Sequence, residues 1–454
     1  MFDKLKQMLS LIDADYADIR YEVKKEVVIS FNGKELSRVS TNATDGYVIR
    51  VLKNGGFASA TFTKPEDITK IAPQVVENAM LIGKHKTKPV RLAATEVIKD
   101  SYTPILNEDP REITLEEKIA VTQKANNVPL QYEKIAMTHV GYEEVIREKY
   151  FVSTEGSEIH EDLITVQLAG EIIAKDGNIV QNVRVATGGS DGFHTIRNPE
   201  ALFEERTKIA LDLLKAEPVA SGVYNCILNP SLAGVFTHEA FGHFSEADII
   251  ENLPAMREKM RLGAKLGSDI LNIVDDATLP HQLGFYKYDD EGVPVRRVTL
   301  MKNGVLVGRL HSRRTAYEFG EPLTGHCVAE DYRYPPIVRM GTIFIEPGNS
   351  TLDELFTILG DGLYILDAKG GQTAGENFTF GAQYGYIIKN GKKTQMIRDL
   401  NISGNLYKTL QNIIAIGNDL VLSKRGGCGK GQLNIRSCNG APHIIIKDLV
   451  VGGR

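Results

Sequence analysis

The chain has 454 residues, of which 42% are hydrophobic and 24% are charged, and its formal net charge is −5. This composition excludes intrinsically disordered and collagen-like proteins, and the length predicts two domains. The negative charge balance provides no general attraction to nucleic acid, so we expect no nucleic-acid partner.

The amino-terminal segment lacks the uninterrupted apolar core and the cleavage site of a secretory signal, and no apolar run is long enough to cross a bilayer. None of the four cysteines stands in a C-x-x-C pair, which fits a reducing compartment better than a disulfide framework. We therefore expect a cytoplasmic protein with no membrane partner.

In the first half of the chain, helical patterns and strand-like patterns occur in blocks. Two stretches with β-branched and aromatic residues around an Asn-Gly turn predict hairpins, and two further stretches predict helices, the first kinked or interrupted by Pro73 and the second capped by Thr114 with Glu117. Antiparallel strands and a helix that Pro218 ends should follow. In chain order these blocks are 18–36, 47–62, 64–85, 115–126, 136–186 and 198–217.

The second half begins with a short strand and a helix, followed by a polar stretch at about 252–268. Two more hairpins with Asn-Gly turns are predicted at 298–312 and 384–399. Because helices and strands come in blocks rather than in regular alternation, the pattern predicts an α+β fold. We place an amino-terminal domain of mixed helices and antiparallel sheet at 1–215 and a β-rich carboxyl-terminal domain at 216–454.

The segment THEAFGHF, residues 237–244, resembles the zinc-protease motif H-E-x-x-H with one extra residue between the histidines. Residues five apart on a regular α-helix point about 140° away from each other and could not bind one metal ion. A π-bulge would bring His238 and His243 onto nearly one face, and Gly242 would make that distortion less costly. The motif therefore predicts a distorted helix.

Two carboxylates accompany the histidines. Glu239 is placed as in zinc proteases, where this residue takes a proton from the attacking water rather than binding the metal. Glu246 could be a third ligand or could orient a histidine.

Cys428, in RGGCGKGQ, is the best remote candidate for a third ligand, although a packed, inert thiol is the alternative. The flanking glycines permit a close approach of the backbone, and the nearby Arg425 and Lys430 would favour the thiolate.

Three other motifs suggest different chemistry. GGSDG at 188–192 matches the G-x-S-x-G pattern with Ser190 as nucleophile, but no helix is predicted immediately after the serine, so a turn is favoured. GGCGKGQ lacks the spacing of a phosphate-binding loop. In HSRRTA, Arg313 or Arg314 could bind a substrate carboxylate, with surface charge as the simpler interpretation.

Several segments together resemble the TldD/PmbA family of zinc metalloproteases, on its TldD side. They occur in order through most of the chain and comprise ELSRVSTNATDGYVIRV, THEAFGHFSE, FYKYDDEGVPVRRVTLMKNGVLVGRLHSRRTA, YRYPPIVRM and GGCGKGQ with VVGG. The resemblance implies that His238, His243 and Cys428 bind zinc and that Glu239 is the catalytic base. It also implies that Glu246 does not bind the metal directly.

The resemblance further implies a peptidase that cleaves unstructured peptides inside a dimer, formed with a second copy or with a PmbA-like paralogue. PmbA-type members lack the metal motif that this chain retains. The alternative from another class is a peptide-binding or partner subunit without catalysis, and a serine hydrolase at Ser190 is a third possibility. An association with DNA gyrase has no support in the charge balance.

Overall fold

The computed structural model describes residues 1–453. It has an α+β fold in which long antiparallel strands dominate both halves of the chain. None of its helices is long and apolar enough to span a bilayer. The helices in chain order are α1 Phe2–Leu9, α2 Ile68–His85, α3 Leu115–Asn127, α4 Glu200–Leu213, α5 Pro230–Phe236, a π-helix Thr237–Gly242, α6 His243–Ser245, α7 Ala247–Ile250, α8 Pro254–Lys259, α9 Arg313–Phe319, α10 Leu352–Leu359 and α11 Leu406–Gln411.

One seven-stranded sheet contains all the strands of the first 189 residues, in the order β3-β2-β1-β5-β6 with β4 and β7 beside β6. The predicted hairpins are confirmed, because Gly33-Lys34, directly after Asn32, connects β1 with β2, and Asn54-Gly55 connects β2 with β3. Helix α2 runs through Pro73 without interruption. The strands are β1 Tyr16–Asn32, β2 Glu35–Lys53, β3 Gly56–Phe62, β4 Lys99–Tyr102, β5 Ile135–Ser153, β6 Glu158–Asp176 and β7 Ile179–Gly189.

A second large sheet belongs to the rest of the chain, and five of its strands pair in a closed ring: β9 with β23, β23 with β19, β19 with β17, β17 with β16, and β16 with β9. Its strands are β8 Glu217–Pro218, β9 Gly222–Leu228, β16 Gly362–Ala374, β17 Asn377–Lys389, β18 Lys392–Arg398, β19 Leu400–Asn405, β20 Ile413–Ile416 and β23 Ile444–Gly452. Helix α5 packs against β16 of the ring and against β22, Cys438–Ala441, of another sheet, and its Phe236 lies edge-on to Phe378 and Phe380. This packing fixes the helix from which the candidate site projects.

The remaining strands form a six-stranded sheet and a two-stranded ribbon. The six-stranded sheet contains the predicted hairpin at Asn303-Gly304, and the hairpin at Asn390-Gly391 lies in the large sheet. The strands are β10 Ile273–Asp276, β11 Arg297–Lys302, β12 Val305–Leu306, β13 Cys327–Val328, β14 Ile337–Val338, β15 Thr342–Ile345, β21 Val421–Leu422 and β22 Cys438–Ala441.

The two halves of the chain share a hydrophobic core in which Phe193 and Phe203 pack with Tyr364 and Ile388. Buried ion pairs also connect the two halves. Asp290, fully buried, binds Arg20 at 3.2 Å, Lys149 at 3.1 Å and Arg147 at 3.3 Å, and all three cations lie on the amino-terminal sheet. Burial opposes ionisation of the Asp290 carboxyl, but the three cations outweigh it and hold its pKa well below the usual range.

We expect Asp290→Asn to lower the free energy of unfolding by roughly 3–5 kcal/mol, because it leaves three buried cations without their shared anion. The depressed pKa means that this contribution is present above the ordinary carboxyl pKa of about 4 and is lost as the pH falls below it. Urea unfolding at pH 7 and in acid measures both effects. The matched control is Asp269→Asn, whose exposed ion pair with Lys265 should contribute less than about 1 kcal/mol.

Candidate metal centre

The helix that carries the two histidines starts at a local sequence signal. The Asn229 side chain accepts a hydrogen bond from the Leu232 N–H at 3.0 Å, and Pro230 occupies the first turn, where its missing N–H is no loss. Phe236, Ala240 and Phe241 are fully buried in the core. The opposite side of the helix is thereby turned toward a cleft of about 680 Å³.

The predicted distortion of this helix is confirmed. Residues Thr237–Gly242 are π-helical, and the His243 N–H donates to the His238 carbonyl five residues earlier. Widening the turn brings the two imidazoles together, with ring centroids 5.1 Å apart and planes nearly perpendicular. The extra residue between the histidines is therefore accommodated by the helix and does not separate them.

The expectation that the backbone freedom of Gly242 permits the distortion of the helix is wrong. Its backbone has ordinary helical angles, but a Cβ atom there would lie 2.2 Å from the Met340 sulfur. The glycine permits close packing and is not needed for the bulge. Gly427, beside Cys428, has a φ of +100°, so this position does require a glycine.

The structure brings together all four residues that the sequence singled out. Ligand-type atoms of His238, Glu239, His243 and Cys428 all lie within 4.8 Å of one another. The Cys428 sulfur is 3.7 Å from His243 Nε2, and Glu239 Oε2 is 3.6 Å from the same nitrogen. Tetrahedral zinc, with bonds of about 2.0–2.3 Å, would separate its ligands by roughly 3.3–3.8 Å, so these separations suit the metal.

The electrostatics of Cys428 suit a metal ligand. Burial opposes ionisation, but hydrogen bonds from His238 and His243 and the charge of Arg339 outweigh it and lower the pKa of the thiol to about 5. At neutral pH the sulfur is therefore a thiolate, the form that binds metals. The donor set of two imidazoles, one thiolate and one carboxylate is typical of zinc.

His243 is oriented from behind by Glu246. The buried Glu246 carboxylate lies 3.3 Å from His243 Nδ1, which leaves Nε2 facing Cys428 and Glu239. Burial lowers the pKa of His243, but hydrogen bonds to Cys428 and Glu246 outweigh that effect and raise it to about 9. Glu246 thus occupies the position of an orienting residue rather than a ligand.

Glu246 itself is held by two cations that the sequence analysis did not assign to it. Lys430 donates to Glu246 at 3.0 Å and to Asp248 at 2.8 Å, and the fully buried Arg339 lies 3.5 Å from Glu246. Burial raises the pKa of Glu246, yet the charge of Arg339 and the hydrogen bond with His243 outweigh burial and hold it at about 2. Arg339 lies in the segment YRYPPIVRM, and nothing in that segment of the sequence indicates that Arg339 pairs with Glu246.

The remaining candidates lie outside this group. Ser190 is buried and accepts a hydrogen bond from Arg436, and no α-helix starts there, which supports the turn. Arg313 is buried and binds Glu155 at 2.7 Å, so its interpretation as surface charge is wrong. Arg314 binds Glu251 at 2.6 Å, and neither arginine lines the cleft.

A cluster of two histidines, one thiolate and one carboxylate at a cleft defines the chain as a candidate metallohydrolase. Three models of one family match it in order: PmbA/TldA metallopeptidase domain 1 at residues 17–80, the central domain at 108–215 and the C-terminal domain at 221–453. The chain therefore belongs to the PmbA/TldA metallopeptidase family, which is the TldD/PmbA family that its sequence motifs resemble.

Relatives agree with this assignment. A metalloprotease of Synechocystis is 35% identical over 443 residues, covering 97% of this chain and 95% of its own. A zinc metalloprotease TldD homologue of Saccharolobus solfataricus is 32% identical over 466 aligned positions, covering 100% of both chains.

Solved structures share the fold. A Thermotoga maritima protein described as a candidate modulator of a DNA gyrase superposes with a TM-score of 0.81 at 21% identity, and TldE from Thermococcus kodakarensis does so with 0.75 at 18% identity. Each match covers 100% of both chains.

Proposed function

We propose that this protein is a zinc-dependent peptidase that cleaves unstructured peptides. The observation that carries the proposal is the convergence of His238, Glu239, His243 and Cys428 at an open cleft. His238, His243 and Cys428 would hold the ion, in keeping with the name of the Saccharolobus relative. Zinc, when bound, would act as a Lewis acid on a peptide carbonyl and on water.

Glu239 is the general base in this proposal. Its side chain is about one-third exposed, whereas His238 is almost fully buried, so the carboxylate is accessible to water and substrate in the cleft. The Thr373 hydroxyl donates to the Glu239 carbonyl at 3.2 Å and ties the π-helix to β16. Glu239 would accept the proton of the attacking water and pass it to the leaving amine.

An extended substrate could align on β16. Its residues Gly370–Ala374 pair with β17 on one edge, whereas β9 covers the other edge only at Leu363–Ile365. Gly370 lines the cleft, so the unpaired edge borders the candidate metal centre. Main-chain hydrogen bonds to such an edge favour unfolded chains of many sequences.

The test is hydrolysis of a reduced, alkylated protein compared with the same protein folded. We expect cleavage of the unfolded form only, loss of cleavage with a chelator, and recovery with added zinc. Chelator-resistant cleavage would instead support a metal-independent hydrolase, and absence of cleavage with zinc bound would support the non-catalytic peptide-binding or partner subunit. A homodimer, or a heterodimer with a PmbA-like paralogue, stays a prediction that mass measurement in solution can test. The hydrolysis assay should therefore be run with the chain alone and with the chain together with such a paralogue.

The role of Glu246 leads to a separate prediction. Glu246→Gln should weaken zinc binding by about 10- to 100-fold, because the orienting carboxylate behind His243 is lost. Competition with a chromophoric chelator measures the affinity. Asp248→Asn is the matched control, since Asp248 also binds Lys430 but is not a partner of His243. Equal weakening in both variants would show that Lys430, rather than orientation of His243, determines the affinity.

A further inference from the structure

Three cations near the candidate metal centre are held by carboxylates. Arg206, which lines the cleft, pairs with the buried Asp367. Lys430 and Arg339 are both held by Glu246. These cations neutralise acidic groups of the protein and cannot bind a substrate anion without releasing them.

Three other cations line the same cleft with no carboxylate within ion-pair distance in residues 1–453: Arg184, Lys424 and Arg425. All three are exposed. Glu171 stands opposite Arg184 in the strand register, but its carboxylate accepts a hydrogen bond from Asn182 instead. The cleft of a chain with net charge −5 thus presents unpaired positive charge.

The three cations come from both halves of the chain. Arg184 lies on β7 of the amino-terminal sheet, whereas Lys424 and Arg425 precede Cys428 in its own loop. The Ser423 hydroxyl stabilises this loop, because it donates to the Arg425 carbonyl at 2.7 Å and accepts from the Arg425 N–H at 3.2 Å. The position of Lys424 and Arg425 on the cleft is therefore set by a defined turn, and that of Arg184 by strand β7.

The short chain segment between Arg425 and Cys428 limits the distance of Arg425 from the candidate metal centre. Three residues span at most about 11 Å between Cα atoms. An extended peptide advances about 3.3 Å per residue. The Arg425 backbone therefore lies within about three residues, measured along an extended substrate, of the bond nearest Cys428, and Lys424 is one residue farther along the chain.

We propose that Arg184, Lys424 and Arg425 form a subsite for a peptide carboxylate, supplied by an Asp or Glu side chain or by the free carboxyl terminus of the substrate. The inference rests on the proposed peptidase function and adds a substrate preference to it. Carboxylates bind at such a site through charge-assisted hydrogen bonds, and the positive field also accelerates encounter with acidic peptides.

The experiment measures binding rather than turnover, using full-length zinc-loaded protein with Glu239→Gln so that bound peptide is not consumed. Labelled unstructured peptides carry a single Glu or Gln at successive positions, and each has a free or an amidated carboxyl terminus. We expect the best Glu or free-acid peptide to bind about five- to tenfold more tightly than its neutral isostere at low salt, with less difference at high salt. The position scan and the amidation distinguish the two sources of the carboxylate.

Lys424→Gln with Arg425→Gln should abolish most of this preference, and Arg184→Gln should reduce it. Lys424→Glu with Arg425→Glu should reverse it in favour of peptides with lysine. Lys392→Gln, an exposed cation on β18 outside the cleft, is the matched control and should change nothing. Equal binding of acidic and neutral peptides would overturn the subsite alone, whereas absence of binding by every peptide would overturn the proposed function together with it.

Discussion

Replacing Glu239 by Gln should reduce peptide hydrolysis by about 100- to 10,000-fold while the protein keeps about one zinc ion per chain. The amide is nearly isosteric with the carboxylate but cannot accept the proton of the attacking water. The two histidines and Cys428 are unchanged, so metal binding should persist. Rates on an unfolded substrate and metal content by mass spectrometry, measured on the same sample, test both statements.

The two readouts separate the possible roles of Glu239. Loss of zinc together with activity would identify Glu239 as a ligand, which its distance of 3.6 Å from His243 Nε2 permits. Full activity with Gln would show that the general base is another group and would refute the mechanism. Glu258→Gln, on an exposed side chain of α8, is the control for loss of one carboxylate and should leave the rate unchanged.

Cys428→Ala and His243→Ala should each weaken zinc binding by more than about 100-fold, so that the purified variants contain almost no metal. Loss of a direct ligand should exceed the 10- to 100-fold effect typical of the residues that only orient ligands. Cys428→Ala also removes the thiolate, the negative ligand that compensates the charge of the ion. Metal content and chelator competition provide the measurement.

Cys438→Ala is the matched control, because Cys438 is buried and its pKa is raised to about 11, chiefly by burial. Retention of zinc by Cys438→Ala and loss by Cys428→Ala would assign the sulfur ligand. A Cys428→Ala protein that retains a full complement of zinc would exclude the thiolate ligand, and the site would then depend on His238, Glu239 and His243.

Local patterns predicted much of the secondary structure for identifiable reasons. Asn-Gly turns connect β2 with β3, β11 with β12 and β17 with β18, because both residues tolerate the positive φ that tight hairpins require. Between β1 and β2 only Gly33 has a positive φ, and Asn32 stays in the strand, paired with Glu35. Thr114 caps α3 by accepting from the Glu117 N–H, as its spacing predicts. By contrast, Pro218 does not end α4, which stops at Leu213, and the proline lies instead in the short edge strand β8.

The sequence by itself determined the five-residue spacing of the histidines. The need for a distorted helix follows from that spacing, because residues five apart on a regular helix point in different directions. Only the tertiary structure decided which distant groups meet that helix: Cys428 beside His243, Arg339 and Lys430 on Glu246, and Asp290 among the cations of the other sheet. Chain spacing contains no information on such pairs, because their partners lie more than 90 residues apart and meet only when the sheets pack. For the same reason, the sequence does not indicate which cations of the cleft lack a carboxylate partner.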